Sequence, residues 1–130
     1  KEGLKTILDD IIKTKKPFLA YANYEIFKLL QYAFPRFVNR RIENKIKSRI
    51  VQEKTTQLVE SSKKDKEEYR EMRFSPVSFK SNVFIYGDKI AMINITKEQQ
   101  IGIIIKNKAI SDTQKQVFEI LWKISKPSVD

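Results

Sequence analysis

The sequence of 130 residues contains no cysteine and no histidine, and only three glycines. Without cysteine it can form neither a disulfide framework nor a thiolate metal site, and an intracellular, cytoplasmic location is the simpler expectation. Without histidine it lacks the commonest general base and the commonest transition-metal ligand, so we expect no metal and no cofactor. The scarcity of glycine also argues against a nucleotide-binding loop.

Long hydrophobic runs are missing too. No apolar run approaches the roughly 20 residues that span a bilayer, so we expect no membrane partner. The length suits one domain that buries its own core. Because the chain opens on Lys1-Glu2-Gly3 without an initiator methionine, we interpret residues 1–130 as a single α/β domain from a longer protein.

Basic residues are abundant, and they are unevenly distributed along the chain. The formal net charge is +10, and the stretch from Lys13 to Lys54 holds eleven basic and three acidic residues, a local net of +8. Such a concentration favours a contact with phosphates or other anions, although a solvated lysine face is an equal alternative. The candidate basic patch comprises Arg36, Arg40, Arg41, Lys45, Lys47 and Arg49.

The first half of the chain alternates helical and extended patterns. Apolar residues at helical spacing predict a helix over 3–14, and Pro17 ends it before a short apolar run. The remaining changes of period predict a strand at 18–22, helices at 24–31 and from Pro35 to about Lys45, a strand from Ile46 to Gln52, a mostly solvated helix within 55–70 and a short strand at Met72 to Phe74. Two strands joined through helices favour a parallel pair.

Three closely spaced apolar runs follow, at 83–86, 90–95 and 101–105. The first two are separated by Gly87-Asp88-Lys89, which favours a hairpin, and all three together predict an antiparallel meander. A capping box at 111–114 predicts the start of a closing helix. Its apolar stripe is predicted to comprise Val117, Ile120, Leu121 and Ile124, with Phe118 and Trp122 in the core beside it. The fold class is therefore mixed α/β, a parallel and antiparallel sheet flanked by helices.

A ligand site in such a sheet is expected beyond the carboxyl ends of its parallel strands. Tyr21, Asn23, Tyr24 and Glu53 fall at these ends and could bind a sugar or similar polar metabolite. Packing of the two tyrosines and helix capping by Asn23 are the alternatives. Arg73 could bind a carboxylate or phosphate, although an ion pair with a glutamate of the chain is the more economical interpretation.

Several segments together resemble one family. They are Phe84–Ala91, Ile101–Ile105 and Val117–Trp122, preceded by Phe37–Ile42 and Ile46–Val51. This combination resembles the C-terminal regulatory domain of TrmB-type transcriptional regulators. The resemblance implies the fold of one half of a phospholipase D-like enzyme, and an N-terminal winged helix-turn-helix domain outside this sequence that reads DNA.

The phospholipase D signature, His-x-Lys-x-x-x-x-Asp, is not preserved here. Aligned on Asp88, it places Ser81 at the histidine position and Val83 at the lysine position. Because that chemistry forms a covalent phospho-intermediate on an imidazole, a chain without histidine cannot follow this route. We therefore expect no enzyme, and Asp88 is interpreted as a turn residue.

The family resemblance implies an effector-sensing and dimerisation domain of a transcriptional regulator. Its expected partners are a second copy of the chain, a sugar or phosphorylated metabolite, and DNA through the missing N-terminal domain. The alternative is a degenerate phospholipase D-like module that binds nucleic acid through the basic patch. A third hypothesis is an enzyme that uses Glu53, Lys54 or Asp88 in a way that no motif announces.

Overall fold

The apolar runs form a six-stranded mixed sheet in the computed structural model, which describes residues 2–128. The strands are β1 (Phe18–Ala22), β2 (Ser48–Glu53), β3 (Arg70–Ser75), β4 (Asn82–Tyr86), β5 (Lys89–Ile95) and β6 (Gln100–Lys106). Their order across the sheet is β3-β2-β1-β4-β5-β6. The first three strands are parallel, and β4, β5 and β6 continue the sheet as an antiparallel meander. Both the parallel pair and the meander are confirmed.

Five helices cover the sheet unequally. They are α1 (Glu2–Thr14), α2 (Tyr24–Ala33), α3 (Pro35–Glu43), α4 (Thr56–Ser62) and α5 (Lys108–Ile124). The first three pack with even-numbered residues of β1 and β4 in the largest core cluster, and α4 packs with Met72 and Phe74 on the same face. Only α5 covers the opposite face, where Phe118 and Trp122 meet Val51, Val83 and Ile85.

Gly102 allows α1 to lie close against β6. A Cβ atom at this position would come within 2.5 Å of the Cδ1 atom of Ile7, so any larger residue would require the Ile7 side chain to move. Gly87 has a different role, because its φ of 61° gives the β4–β5 turn the left-handed conformation that glycine adopts without cost.

The predicted start of the closing helix is wrong by one turn. The helix begins at Lys108, where the Asn107 side chain accepts a hydrogen bond from the Ile110 amide. Ser111 is instead fully buried and donates to the carbonyl oxygen of Gly87. Ser111, which was predicted to cap the helix, is thus the fourth residue of the helix, and Asn107 is the cap.

The predicted apolar stripe of α5 is also wrong. The helix buries Ser111, Phe118 and Trp122, whereas Val117, Ile120 and Ile124 of the predicted stripe are exposed. Apolar residues occupy more than one side of this helix, and spacing alone does not tell which side faces the sheet.

Two other boundaries differ from the prediction for identifiable reasons. Lys45 takes a left-handed φ of 53°, and the Ile46 amide donates to the carbonyl of Arg41, so Ile46 completes the end of α3 and β2 begins at Ser48. The helix predicted within 55–70 stops at Ser62. Beyond it, the Asp65 carboxylate accepts hydrogen bonds from Arg70 and from the Met72 amide, which fixes a turn before β3.

No helix within residues 2–128 is both long enough and apolar enough to cross a membrane.

Candidate functional site

Three of the predicted ligand residues meet at the carboxyl ends of β1 and β2. The Asn23 side chain accepts from the Ile26 amide and donates to the carbonyl of Phe79, so that it caps α2 and ties down the β3–β4 loop. Glu53 accepts from the Tyr24 amide at 2.8 Å. Asn23, Tyr24 and Glu53 therefore lie together, and two of their polar side chains already hold the start of α2.

The other two predicted ligand residues lie on the α5 side of the sheet. The Tyr21 hydroxyl donates to Gln114 at 2.9 Å, and its ring packs against Phe79. Arg73 stacks over the Trp122 ring at 4.3 Å and donates to the Trp122 carbonyl at 2.9 Å. The expected glutamate partner of Arg73 is thus replaced by an aromatic ring and a carbonyl oxygen.

The three residues at the positions of the phospholipase D signature do not form a common reactive site. Val83 is buried in the α5-side core, and the Ser81 hydroxyl donates weakly to the Ile93 carbonyl at 3.4 Å. Asp88 is exposed in the turn between β4 and β5. Because Ser81 precedes β4 and Asp88 follows it, the two residues lie roughly 20 Å apart, at opposite ends of this strand.

The six residues of the candidate basic patch do not share one surface. Arg40 pairs with Asp9 of α1 at 2.9 Å, and Arg49 makes a two-pronged pair with Glu119 of α5. Arg41 is buried. Of the six, only Lys45 and Lys47 are exposed neighbours in one loop, and Arg36 is exposed on α3.

Arg41 serves the interior of the protein. Its guanidinium donates to the carbonyl oxygens of Ile46, Glu68 and Tyr69, and thereby joins the end of α3 to the loop that precedes β3. Burial, followed by the neighbouring charge of Arg70, lowers the pKa of Arg41 to about 10. Sequence spacing gave no sign of this role, because the acceptors are backbone carbonyls.

A second polar network, also missed from the sequence, joins α1 to the β4–β5 hairpin. Asp10 accepts hydrogen bonds from the Tyr86 hydroxyl at 2.9 Å and from Lys89 at 3.0 Å. Burial would raise the pKa of the Asp10 carboxyl, but the hydrogen bonds from Lys89 and Tyr86 hold that pKa below its ordinary value of 3.8. Burial, aided by the contact with Asp10, raises the pKa of Tyr86.

The Asp10 network predicts a specific pH dependence. We expect Asp10→Asn to lower the free energy of unfolding by about 1 kcal/mol at pH 7, because Lys89 loses its carboxylate partner. Since the folded-state pKa of Asp10 lies below its unfolded value, the stabilisation is complete above the unfolded pKa and is lost as the pH falls through the folded pKa. Urea unfolding of both proteins between pH 7 and pH 2 checks this.

Asp112→Asn is the matched control, because the Asp112 pair with Lys108 is well exposed to water and contributes little. A stability difference between wild type and Asp10→Asn that stayed constant down to pH 2 would contradict the role of the carboxylate.

The most unusual surface of the molecule is apolar. We call it the apolar face, and its members are between 37% and 64% exposed: Met92, Ile101, Ile103, Ile110, Val117, Ile120 and Ile124. Met92 and Ile103 are direct cross-strand partners on the sheet face that α5 only partly covers. Ile101 also lies on β6, and the other four members follow one side and the outer surface of α5. Isolated exposed apolar residues are ordinary, but three on β5 and β6 and four along α5, all on the α5 side of the sheet, favour an interaction surface.

A cavity of about 500 Å³ opens at the edge of the sheet where the parallel strands begin. Phe18, Lys47, Lys66 and Tyr69 are among its lining residues. None of the five predicted ligand residues lines it, because they lie at the other ends of these strands. Among the residues that the structure describes, no group of three or more acidic side chains could hold a metal ion.

TrmBL2 and NucT are among the solved structures that share this fold. TrmBL2, an archaeal chromatin protein whose structure shows a novel mode of DNA binding, matches 95% of this chain at 18% identity with a TM-score of 0.65. NucT from Helicobacter pylori matches 95% of this chain at 11% identity with a TM-score of 0.63. The chain spans 49% of TrmBL2 and 91% of the NucT chain. No protein-family model and no curated protein matches the sequence.

These similarities confirm the predicted phospholipase D-like half-domain fold and, at the level of fold, the likeness to TrmB-type regulators. The chain has about half the length of TrmBL2, so the activity and partners of that whole protein do not follow from the shared fold.

Proposed function

We propose that this chain is a non-catalytic effector-sensing and dimerisation domain of a cytoplasmic transcriptional regulator whose winged helix-turn-helix domain lies outside these residues. The fold shared with half of TrmBL2 supports the proposal. A non-catalytic role is supported by the complete lack of histidine, together with the buried valine at the lysine position of the phospholipase D signature.

The apolar face is the observation that carries the proposal. Strand β6 is the last strand in the sheet order, and no charged residue interrupts it between Ile101 and Ile105. An exposed apolar edge strand promotes uncontrolled association unless something covers it. A second copy of the chain suits this surface, because two uncharged faces can meet about a two-fold axis without repulsion, despite the net charge of +10.

Sedimentation tests the dimer directly. We expect the 130-residue protein to show a concentration-dependent monomer–dimer equilibrium, with the dimer predominant in the micromolar range. A protein that remains strictly monomeric at the highest attainable concentration would contradict the proposal. Higher oligomers that form without a dimer plateau would point to simple edge aggregation instead.

Effector sensing is tested by thermal unfolding in the presence of sugars and phosphorylated metabolites. A ligand that binds only the folded protein adds about 2.7 kcal/mol of stability at a concentration of 100 Kd. We propose that the effector binds at the carboxyl ends of β1 and β2 against Asn23, Tyr24 and Glu53, and that it reaches Tyr21 and Arg73 on the α5 side. Tyr21→Phe should then weaken binding without unfolding the protein, because the tyrosine ring still packs against Phe79. A ligand-induced shift that Tyr21→Phe left unchanged would place the effector elsewhere.

A further inference from the structure

Exposed lysines from separate loops meet along the edge of the sheet that is formed by the ends of the strands, on the side where the parallel strands begin. The register places the starts of β1, β2 and β3 beside the end of β4, the start of β5 and the end of β6. All loops at this edge are therefore neighbours, although they are far apart in sequence. We call the resulting row the lysine edge, which comprises Lys15, Lys16, Lys45, Lys47, Lys66 and Lys106.

The charges of the lysine edge are not neutralised within the protein. All six side chains belong to exposed residues, and none forms an ion pair with another residue of the described part of the chain. Asp65 and Glu68 at this edge pair with Arg70. Four other acids lie nearby and form no ion pair among the described residues: Glu43, Glu67, Glu71 and Asp88. Of these, Glu71 lines the cavity together with Lys47 and Lys66. The loops at the opposite edge contribute Lys54, Lys80 and Lys97, and Lys126 follows α5 there.

Two of these lysines occupy positions that disfavour them. Lys15 directly follows α1 and has a φ of 54°, and Lys45 follows the cap residue of α3 and has a φ of 53°. Glycine is the usual residue at such left-handed helix ends, because a side chain there is strained. Lysine at both positions therefore adds a charge to this edge in spite of that strain.

We propose that the lysine edge binds the phosphate backbone of duplex DNA. The row crosses six strands, or about 24 Å, which is comparable in length to roughly seven base-pair steps along the axis of a duplex. Lysines act there as point charges that position a backbone without reading its sequence. This contact goes beyond the proposed function, in which a separate domain reads DNA.

A membrane surface fits the lysine edge less well. Peripheral membrane proteins usually add exposed apolar anchors to their lysines. None of the exposed large apolar side chains of residues 3–128 lies in the loops of this edge. Lys47 and Lys66 of the row also line the cavity of about 500 Å³.

The test measures binding of a random-sequence duplex by fluorescence anisotropy as the salt concentration increases. If the wild type contacts five phosphates, the slope of log K against log salt should be about −4.5. A triple variant that combines Lys16→Gln, Lys47→Gln and Lys66→Gln should lose three contacts, and the magnitude of its slope should be smaller by about 2.7. The control combines Lys54→Gln, Lys80→Gln and Lys97→Gln, which removes the same charge from the opposite edge, and should change the slope by less than 1.

Equal losses in the two triple variants would overturn the proposal, because they would reflect net charge alone. Wild-type protein that binds phosphatidylserine vesicles but no duplex DNA would overturn it in favour of a membrane. Sedimentation reports dimerisation separately, so this proposal and the proposed function can fail independently.

A second variant combines loss of charge with a gain in stability. Lys15→Gly with Lys45→Gly relieves two left-handed lysines, and we expect each change to raise the midpoint of thermal unfolding by roughly 4 °C. The same variant should bind DNA with a slope about 1.8 less steep. Unchanged DNA binding by this better-folded protein would contradict the proposal.

Discussion

Replacement of Arg41 by methionine is expected to lower the free energy of unfolding by about 3 kcal/mol. The guanidinium supplies hydrogen bonds to three carbonyl oxygens, at 3.1 Å to Ile46, 2.7 Å to Glu68 and 3.4 Å to Tyr69. Methionine fills a similar volume but donates nothing, so these acceptors lose their partner in a region that water reaches poorly. Removal of a buried charge is favourable in itself. The expected loss in the free energy of unfolding is therefore smaller than the summed cost of three unsatisfied carbonyl groups.

Arg40→Met is the matched control, because Arg40 precedes Arg41 on the same helix. Its ion pair with Asp9 leaves both side chains more than a third exposed, and we expect a change below about 1 kcal/mol. Urea unfolding of the two variants measures the difference. Similar losses in both variants would mean that the α3–β3 connection does not depend on the buried guanidinium.

The sequence was sufficient for features that depend on short runs of residues. Val83–Tyr86, Ile90–Ile95 and Ile101–Ile105 are apolar and β-branched, and each became a strand of the meander. Pro35 opened a helix, as its fixed φ and missing N–H favour. These predictions hold because neighbouring residues decide them, and the parallel pairing of β1 with β2 followed from the helices between the strands.

Features that depend on distant partners could not be read from the sequence. The charge count grouped Arg41 and Arg49 with nearby basic residues, yet the fold buries the first and pairs the second with Glu119, 70 positions away. The lysine edge shows the converse, because only the strand register brings Lys15, Lys47 and Lys106 to the same edge of the sheet. The count of charges along the sequence therefore predicted a positively charged surface but assigned the wrong residues to it.

The misassigned stripe of α5 carries information of its own. A helix that packs on a single sheet face needs one apolar side, and Phe118 and Trp122 provide it. Val117, Ile120 and Ile124 form a further apolar side that the described chain leaves exposed. The same sheet face carries the exposed pair Met92 and Ile103. This doubled apolar pattern is what a helix between a sheet and a partner subunit requires.

Ile103→Glu and Ile120→Glu are each expected to weaken dimerisation by about 100-fold to 1,000-fold. Either change would place an unpaired carboxylate in the middle of a desolvated interface, which costs about 3 to 4 kcal/mol. Both side chains are already at least half exposed in the monomer, so the fold of each subunit should persist. Sedimentation equilibrium measures the association constant, and circular dichroism verifies the folded monomer.

Tyr32→Glu provides the control, because Tyr32 is 83% exposed on α2 and lies outside the apolar face. It introduces the same negative charge at an exposed aromatic residue and should leave the association constant within about twofold of the wild type. The two face variants place charge on different elements, a strand and a helix, so a shared loss would identify one surface that both contribute to. Dimers that tolerate Ile103→Glu but not Ile120→Glu would confine the interface to α5 and leave β6 as an unprotected edge strand.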